Sequence, residues 1–358
     1  MKFIAINSLE EDMILARDLH MLNSKNEVLL LTKKMRLTAH NIVQLKAMGI
    51  SGAFICDGID DDLDMDKLLS KDEKKHAIRE IKNLFDQYDM GEGIITKESI
   101  ASMREIAHNI VEAVLAHQEV EIGVIELKSY DDYTFHHCLS VCVISVAIAS
   151  AMAFSKEELI DLGLAGLLHD VGKTMVDIKL INKPGKLSNA EYQEVSKHAL
   201  LGGTYLLEHD LVNESIYNGV ISHHEKFDGT GYPFHLEGEN IPLFARIIAV
   251  ADVYDALTSN RPYRKAKTPT EAFEIILGSS TSHFDSNIVD AFTRKIAPYP
   301  VGSSVRLSNN DVGIVIRTSH EFPLRPLVRS IYTGKNYDLL SDECMNIVIE
   351  NNVEESAL

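Results

Sequence analysis

Apolar side chains recur with a helical period over most of the chain. Between residues 78 and 88, and again between residues 100 and 114, an apolar residue stands at every third or fourth position, which predicts one buried stripe on each of two helices. Three further helix starts carry N-cap signals, at Ser155 with Glu158, Ser188 with Glu191, and Thr268-Pro269-Thr270-Glu271. From about residue 95 to residue 296 the pattern predicts a continuous helical bundle.

Both ends of the chain show shorter, strand-like patterns. A helix is predicted from Thr38 to Met48, where Gly49 supplies a C-cap. Strands are predicted at residues 26–32, 52–56, 304–307 and 313–317. We therefore expect a mainly α fold with a small N-terminal α/β unit, which we expect to be regulatory, and a short β-rich C-terminal tail. The expected limits are 1–56 for the α/β unit, 57–94 for an acidic linker and connecting helix, 95–296 for the helical domain, and 297–358 for the tail.

Composition and charge restrict the class of protein. The 358 residues are 45% hydrophobic and 25% charged, as in ordinary soluble globular proteins. A net charge of −18 argues against DNA or RNA binding, and any phosphate substrate would need locally concentrated cations. The four cysteines show no disulfide framework. Residues 138–155 lack charge, but four serines interrupt them, so we expect a buried helix, no membrane span and a cytoplasmic protein.

The first chemical signal lies at the end of an apolar helix. The helix that Ser155 begins runs into His169-Asp170-Val171-Gly172-Lys173. Burying an imidazole and a carboxylate side by side is costly unless something compensates them. A divalent cation would compensate both groups, and a salt-bridged pair is the alternative.

Other histidines and aspartates also stand at the edges of apolar segments. The full set is His137, His169, Asp170, His198, His223, His224 and Asp252. Imidazole and carboxylate without thiolate suit iron, manganese, zinc, cobalt or nickel. Seven ligands exceed one tetrahedral site, so we expect a pair of metals that share one carboxylate.

The order of motifs is specific. His169-Asp170 is followed by His223-His224-Glu225, by DGTGYP at residues 228–233, and by VADVYDALTSNRPYR at residues 250–264. Together these motifs resemble the HD-GYP branch of the HD phosphohydrolase superfamily, over about 200 residues from around residue 95 to around residue 297. The resemblance implies a bacterial metal-dependent phosphodiesterase that hydrolyses cyclic di-GMP to linear pGpG, and by a second cleavage to GMP.

The resemblance also implies which residues hold metal. The first metal would be held by His137, His169, Asp170 and Asp252, and the second by His198, His223 and His224 with Asp170 bridging. Iron or manganese is the expected metal, with zinc, cobalt or nickel left open. His136 is an alternative to His137. Tyr133 stands where some members have a glutamate for a third metal, so we expect two, although Asp131 and Asp132 leave a third open.

Substrate contacts are implied in the same way. Asp170 and Lys173 would act in catalysis, and Lys173 would also contact a phosphate. Arg261 and Arg264 would neutralise further phosphate oxygens, although exposed arginines without a ligand are the alternative. In the DGTGYP loop, Gly231 and Tyr232 would line the substrate, and Gly229 and Gly231 would allow positive φ and close approach of the backbone.

Other functions stay open at this point. A related enzyme could act on a mixed cyclic GMP–AMP dinucleotide, because the motifs identify phosphate chemistry better than the base. A different HD hydrolase, such as a nucleotidase, is disfavoured by DGTGYP. A catalytically idle module that senses a cyclic dinucleotide belongs to another class. The stripe between residues 78 and 114 could pack on the bundle or on a second chain, which would make a homodimer.

Overall fold

The computed structural model describes residues 2–6, 9–15, 19–23, 26–48, 50, 52–55, 68–89, 94–116, 133–181, 183, 185–259, 266–319 and 321–352. The chain divides into a helical unit, Lys67–Pro298, and a second unit that comprises Met1–Asp66 and Tyr299–Leu358. Five features considered in the sequence analysis lie outside the described residues. They are Asp131, Asp132, Arg261, Arg264 and the acidic stretch that follows Cys56.

The N-terminal part of the second unit is a small α/β arrangement, as predicted. Its elements are β1 (Lys2–Ala5), β2 (Leu19–Asn23), β3 (Asn26–Leu31), α1 (Ala39–Ala47) and β4 (Gly52–Ile55). β1 pairs antiparallel with β4, and β2 with β3. The Thr38 hydroxyl caps α1, whose Leu45 side chain lies in a core with Leu15 and Leu37. The strands β1 and β2 were not predicted.

The C-terminal part of the second unit is a single antiparallel sheet, which confirms the β-rich tail. Its strands are β5 (Ser304–Leu307), β6 (Val312–Arg317), β7 (Leu327–Ser330), β8 (Asn336–Asp338) and β9 (Ile349–Asn352), in the order β8-β7-β6-β5-β9. Alternate positions of β7 are buried, and Val328 of that strand shares one core with Val305 and Leu307 of β5 and with Tyr299.

The helical unit makes the fold mainly α, as expected. Its helices are α2 (Lys71–Asp89), α3 (Lys97–Ala116), α4 (Tyr133–Ser150), α5 (Lys156–Leu168), α6 (Ile178–Ile181), α7 (Asn189–Glu208), α8 (Glu214–Ser222), α9 (Leu243–Thr258), α10 (Pro269–Gly278) and α11 (Ser286–Lys295). The three predicted N-caps, Ser155, Ser188 and Thr268, each form a capping box, so the predicted starts of α5, α7 and α10 are confirmed.

The helix α4 lies at the centre of this unit and contacts α5, α9, α2, α3 and α11. Every side chain from His137 to Ala149 is buried, which explains why the segment carries no charge and has no polar face. No helix in the described ranges is long and apolar enough to cross a membrane. The stripes on α2 and α3 pack inside this same unit, where Ile81, Leu84 and Ile110 are buried.

Candidate metal centre

The structure brings the seven predicted ligands together from separate helices. His137 comes from α4, Asp252 from α9, and His198 from α7. The others stand where helices end: His169 and Asp170 follow α5, and His223 and His224 follow α8. A backbone that leaves its helix at these points lets adjacent side chains approach one centre from two directions. The role of the seven residues as ligands stays a prediction.

The ligand atoms form two groups around Asp170. The group of His137, His169 and Asp170 has all its ligand atoms within 4.8 Å of one another, and so does the group of His198, His223 and His224. Asp170 Oδ2 lies 3.4 Å from His169 Nε2 and 3.7 Å from His137 Nε2. Its other oxygen, Oδ1, lies 3.4 Å from His198 Nε2. Each oxygen of Asp170 therefore faces one group.

Asp252 also lies between the two groups. Its Oδ1 is 3.1 Å from His137 Nε2, and its Oδ2 is 4.0 Å from His224 Nδ1. The side chain is 14% exposed, so it is largely buried, in line with the apolar run that precedes it. The cluster contains His137 and not its neighbour His136, which was the alternative.

Three imidazoles are oriented by the same backbone contact. In His169, His198 and His223, Nδ1 donates to the carbonyl oxygen of the residue three positions earlier, at 2.7, 2.7 and 2.6 Å. A carbonyl oxygen only accepts, so the ring proton is on Nδ1 and the lone pair is on Nε2. All three Nε2 lone pairs are thereby turned towards the cluster.

Several of these lone pairs have no donor from the protein. Within the described part of the chain, His169 Nε2 and His223 Nε2 are buried and without a hydrogen-bond partner. His198 Nε2 and His224 Nε2 lie 3.2 Å apart, about the separation of two ligands on one ion with metal–nitrogen bonds of roughly 2.0–2.1 Å. Unsatisfied buried acceptors are costly, and a divalent cation would satisfy them. The residues present therefore fit a metal centre.

Electrostatics favour a neutral His224 and an ionised Asp170, which are the protonation states that a metal needs, but a protonated His137. Burial, and then the neighbouring His198, lower the pKa of His224 to about 3. Burial raises the pKa of Asp170, but its charged surroundings, the Lys173 ammonium first, outweigh burial and hold that pKa well below its usual range. Burial likewise lowers the pKa of His137, but hydrogen bonds to Asp252 and Asp255 raise it to about 9. A cation would replace the proton that these carboxylates attract to the His137 ring.

Asp255 is a site residue that the sequence analysis missed. Its buried Oδ2 lies 2.7 Å from His137 Nδ1, on the side of the ring that faces away from Asp170 and Asp252. A carboxylate in this position orients an imidazole and makes its free nitrogen more basic. The signal was available in the VADVYDAL segment, because Asp252 and Asp255 are three residues apart and share a helix face.

Glu225, the last residue of the HHE run, has a structural role that its sequence position does not indicate. It is 3% exposed, and its two carboxylate oxygens accept from backbone N–H groups just after the DGTGYP loop. The Phe234 N–H donates to Oε1 at 2.6 Å, and the Leu236 N–H donates to Oε2 at 3.1 Å. The carboxylate next to His224 therefore ties the segment that follows the loop to the end of α8.

The two glycines of the loop differ. Gly229 has the expected positive φ, 76°, whereas Gly231 does not, so the expectation was wrong at that position. A Cβ on Gly231 would lie 2.3 Å from the Lys226 nitrogen and 2.4 Å from the Glu225 Cα. Gly231 is thus required for close packing against the chain's own backbone. The loop places the Tyr232 ring 4.7 Å from the His224 ring, centroid to centroid, at an interplanar angle of 30°.

Lys173 lies at the solvent side of the centre. Its Nζ is 2.5 Å from Asp170 Oδ2, and its side chain is 31% exposed. The backbone here packs unusually closely, because a Cβ on Gly172 would meet the His198 carbonyl oxygen at 1.9 Å and the Gly202 nitrogen at 2.6 Å. This contact between the 3₁₀ helix Val171–Met175 and α7 brings Asp170 next to His198.

Comparison with known proteins agrees with these motifs. A family model for the HD domain matches residues 102–288. A cyclic di-GMP phosphodiesterase of Pseudomonas aeruginosa is 36% identical over 71% of this chain and 60% of its own length. The cyclic di-GMP phosphodiesterase response regulator RpfG of Xanthomonas campestris is 41% identical over 41% of this chain and 39% of its own. A 3′3′-cGAMP-specific phosphodiesterase of Vibrio cholerae is 33% identical over 53% of this chain and 43% of its own.

The chain thus spans less than two thirds of the length of these relatives. The family match covers more than half of the chain and contains all seven clustered residues. The order of HD, HHE and DGTGYP distinguishes one branch of that family. The chain belongs to the HD domain family, in its HD-GYP branch.

Proposed function

We propose that the chain is a metal-dependent phosphodiesterase that hydrolyses cyclic di-GMP to linear pGpG, and by a second cleavage to GMP. The observation that carries the proposal is the double group of imidazoles around Asp170, with buried Nε2 atoms that lack a donor at His169 and His223. The Pseudomonas and Xanthomonas relatives are named as cyclic di-GMP phosphodiesterases, which supports this substrate.

Two divalent transition-metal ions are the proposed cofactors. His137, His169, Asp170 and Asp252 would hold the first, and His198, His223 and His224 would hold the second, with Asp170 shared. The separate direction of the two Asp170 oxygens supports the sharing. A donor set of imidazole and carboxylate favours iron or manganese, with zinc, cobalt and nickel as further candidates.

Bound metals would supply Lewis acidity at the phosphate and an activated water as nucleophile. The chain's own groups provide charge and position. Burial lowers the pKa of Lys173, but the neighbouring Asp170 raises it above its usual value, so the ammonium stays charged. At the partly exposed edge of the centre this ammonium can bind a phosphate oxygen, where negative charge grows in the transition state. Lys173 thus provides the local cation that a chain of net charge −18 needs.

The remaining proposed substrate contacts come from the loops around the centre. Tyr232 lies against the His224 ring, and its side chain would contact a ligand there. Gly231 would act there through the loop conformation that its close packing permits. Arg261 and Arg264, which follow α9 in the sequence, would neutralise the second phosphate of the dinucleotide.

All proposed ligands belong to the helical unit, between His137 and Asp252. We therefore assign the chemistry to this unit, with the catalytic domain at residues 95–296 and a regulatory role for residues 1–56. The stripes on α2 and α3 are covered by the chain's own helices, so a homodimer would need another surface.

The proposal is tested by measuring metal content and hydrolysis together. Elemental analysis of the purified protein should give two transition-metal ions per chain, and chromatography should show pGpG formed from cyclic di-GMP. Asp170→Ala should lose both metals and activity, because one carboxylate serves both groups. Asp290→Ala is the control, since that aspartate is 68% exposed on α11 and pairs only with Arg294 among the contacts described. An Asp170→Ala protein with two metals and the parental rate would refute the assignment.

A mixed cyclic GMP–AMP dinucleotide is the second candidate substrate. The Vibrio relative that matches over 53% of this chain is named as specific for 3′3′-cGAMP. The metal centre acts on the phosphodiester that both dinucleotides share, so its residues do not select the base. The ratio of kcat/KM for the two substrates decides between them. A protein that binds either dinucleotide but hydrolyses neither would instead be an idle sensor.

A further inference from the structure

An exposed aromatic side chain stands beside the metal centre without a role in it. Tyr192 lies in the first turns of α7 and is 53% exposed. It precedes His198 by six residues, which corresponds to about 9 Å along a helix axis at 1.5 Å per residue. This distance is comparable to the reach of one nucleoside from its phosphate.

A row of rings connects Tyr192 to the centre. The Tyr192 and Tyr232 rings lie 6.0 Å apart, centroid to centroid, at 83°, and Tyr232 in turn lies 4.7 Å from the His224 ring. The loop that carries Tyr232 is thereby joined to the face of α7 that carries Tyr192.

The contact between the two tyrosines leaves Tyr192 able to stack. In an edge-to-face pair only one face of one ring is covered, so at least one face of Tyr192 remains for a ligand. The start of α7 does not depend on this ring, because Ser188 and Glu191 cap the helix in a reciprocal pair of hydrogen bonds. The half-exposed ring therefore contributes little packing that would explain its position.

We propose that Tyr192 binds the substrate by stacking on a nucleobase next to the phosphodiester at the metal centre, an inference that rests on the proposed function. Aromatic side chains stack on any base, because every base presents a π face. Tyr192 should therefore strengthen binding of cyclic di-GMP and of a mixed cyclic GMP–AMP dinucleotide alike. Selection between the two bases would belong to other residues.

The test compares three variants of the full chain. Tyr192→Ala should raise KM for cyclic di-GMP about 5- to 30-fold, the lower part of the range for base–aromatic stacking, with kcat changed less than twofold. Tyr192→Phe keeps the ring and should restore the parental KM. Leu207→Ala is the matched control, since it removes another exposed apolar side chain, 42% exposed, from the far end of α7. All variants should keep the metal content of the parent.

A second substrate separates stacking from a structural effect. Methyl p-nitrophenyl phosphate is a phosphodiester without a nucleobase, so Tyr192→Ala should change its kcat/KM by less than a factor of about three. Equal losses of kcat/KM on both substrates, or a parental KM for cyclic di-GMP in Tyr192→Ala, would overturn the proposed stacking. Neither result would overturn the proposed function. A parent protein that cleaves the simple phosphodiester but no cyclic dinucleotide would overturn the proposed function, and the nucleobase contact with it.

Discussion

Replacing Asp255 by asparagine removes one buried charge without changing the size of the side chain. Asp255 and His137 are 1% and 3% exposed, and 2.7 Å separates Asp255 Oδ2 from His137 Nδ1. The asparagine oxygen can still accept the Nδ1–H hydrogen bond, so the ring stays oriented. The charge that makes Nε2 more basic is lost, however. Changes of this kind weaken metal binding about 10- to 100-fold, or roughly 1.4–2.7 kcal/mol.

The weaker binding caused by Asp255→Asn should affect the metal proposed at His137 and not the metal proposed at His198, His223 and His224. His198 and His223, in the second group, are oriented by backbone carbonyls and do not contact Asp255 in the described structure. Titration of the metal-loaded protein with a competing chelator should therefore release metal in two steps. Asp255→Asn should shift only one of the two steps to lower chelator concentration and lower the rate of hydrolysis in parallel. Asp290→Asn, an exposed aspartate on α11, should leave both steps unchanged.

Two results would refute this reasoning. Parental affinity for both metals in Asp255→Asn would mean that the carboxylate does not tune His137. Equal weakening of both metals would mean that the substitution acts through the fold. Urea unfolding of the metal-free proteins distinguishes the latter case, because a general defect would also lower the free energy of unfolding.

Two further predictions concern stability. Gly202→Ala should lower the free energy of unfolding, measured by urea titration, by about 1–3 kcal/mol and weaken metal binding at His198, because the new Cβ would lie 2.7 Å from the Gly172 nitrogen. Gly278→Ala is the control that should lose no stability, because a Cβ there meets nothing within 4 Å. Hydrogen bonds from Lys183 and Ser188 lower the pKa of Glu191 from 4.5 to about 2, so its stabilisation is complete above pH 4.5 and disappears as the pH falls towards 2. Unfolding titrations at several pH values should therefore show a shallower acid dependence for Glu191→Gln, and parallel curves would contradict this.

The local features of the fold could be read from the sequence. Ser155, Ser188 and Thr268 begin helices because each can accept a hydrogen bond from the third residue of the helix, which depends only on neighbouring residues. The charge-free segment that becomes α4 predicted a helix buried on all sides. The seven histidines and aspartates of the two groups were also predicted, because their residue types and order are those of one family, whereas Asp255 behind His137 was missed. The short strand β1 escaped prediction, since it pairs with β4, which lies far along the chain. β2 was missed although it pairs with β3, the next strand.

The pattern of residues was enough to predict a mainly helical fold, the type of domain and the candidate metal ligands. How these groups face one another follows only from the packing of the helices. The two Asp170 oxygens point to different imidazole groups because the Gly172 backbone packs directly on α7. Asp255 orients His137 across 118 residues of sequence, and Tyr192 reaches the centre through Tyr232. Such contacts join residues far apart in the chain, so they depend on how helices cross, and no local pattern of side chains specifies that crossing.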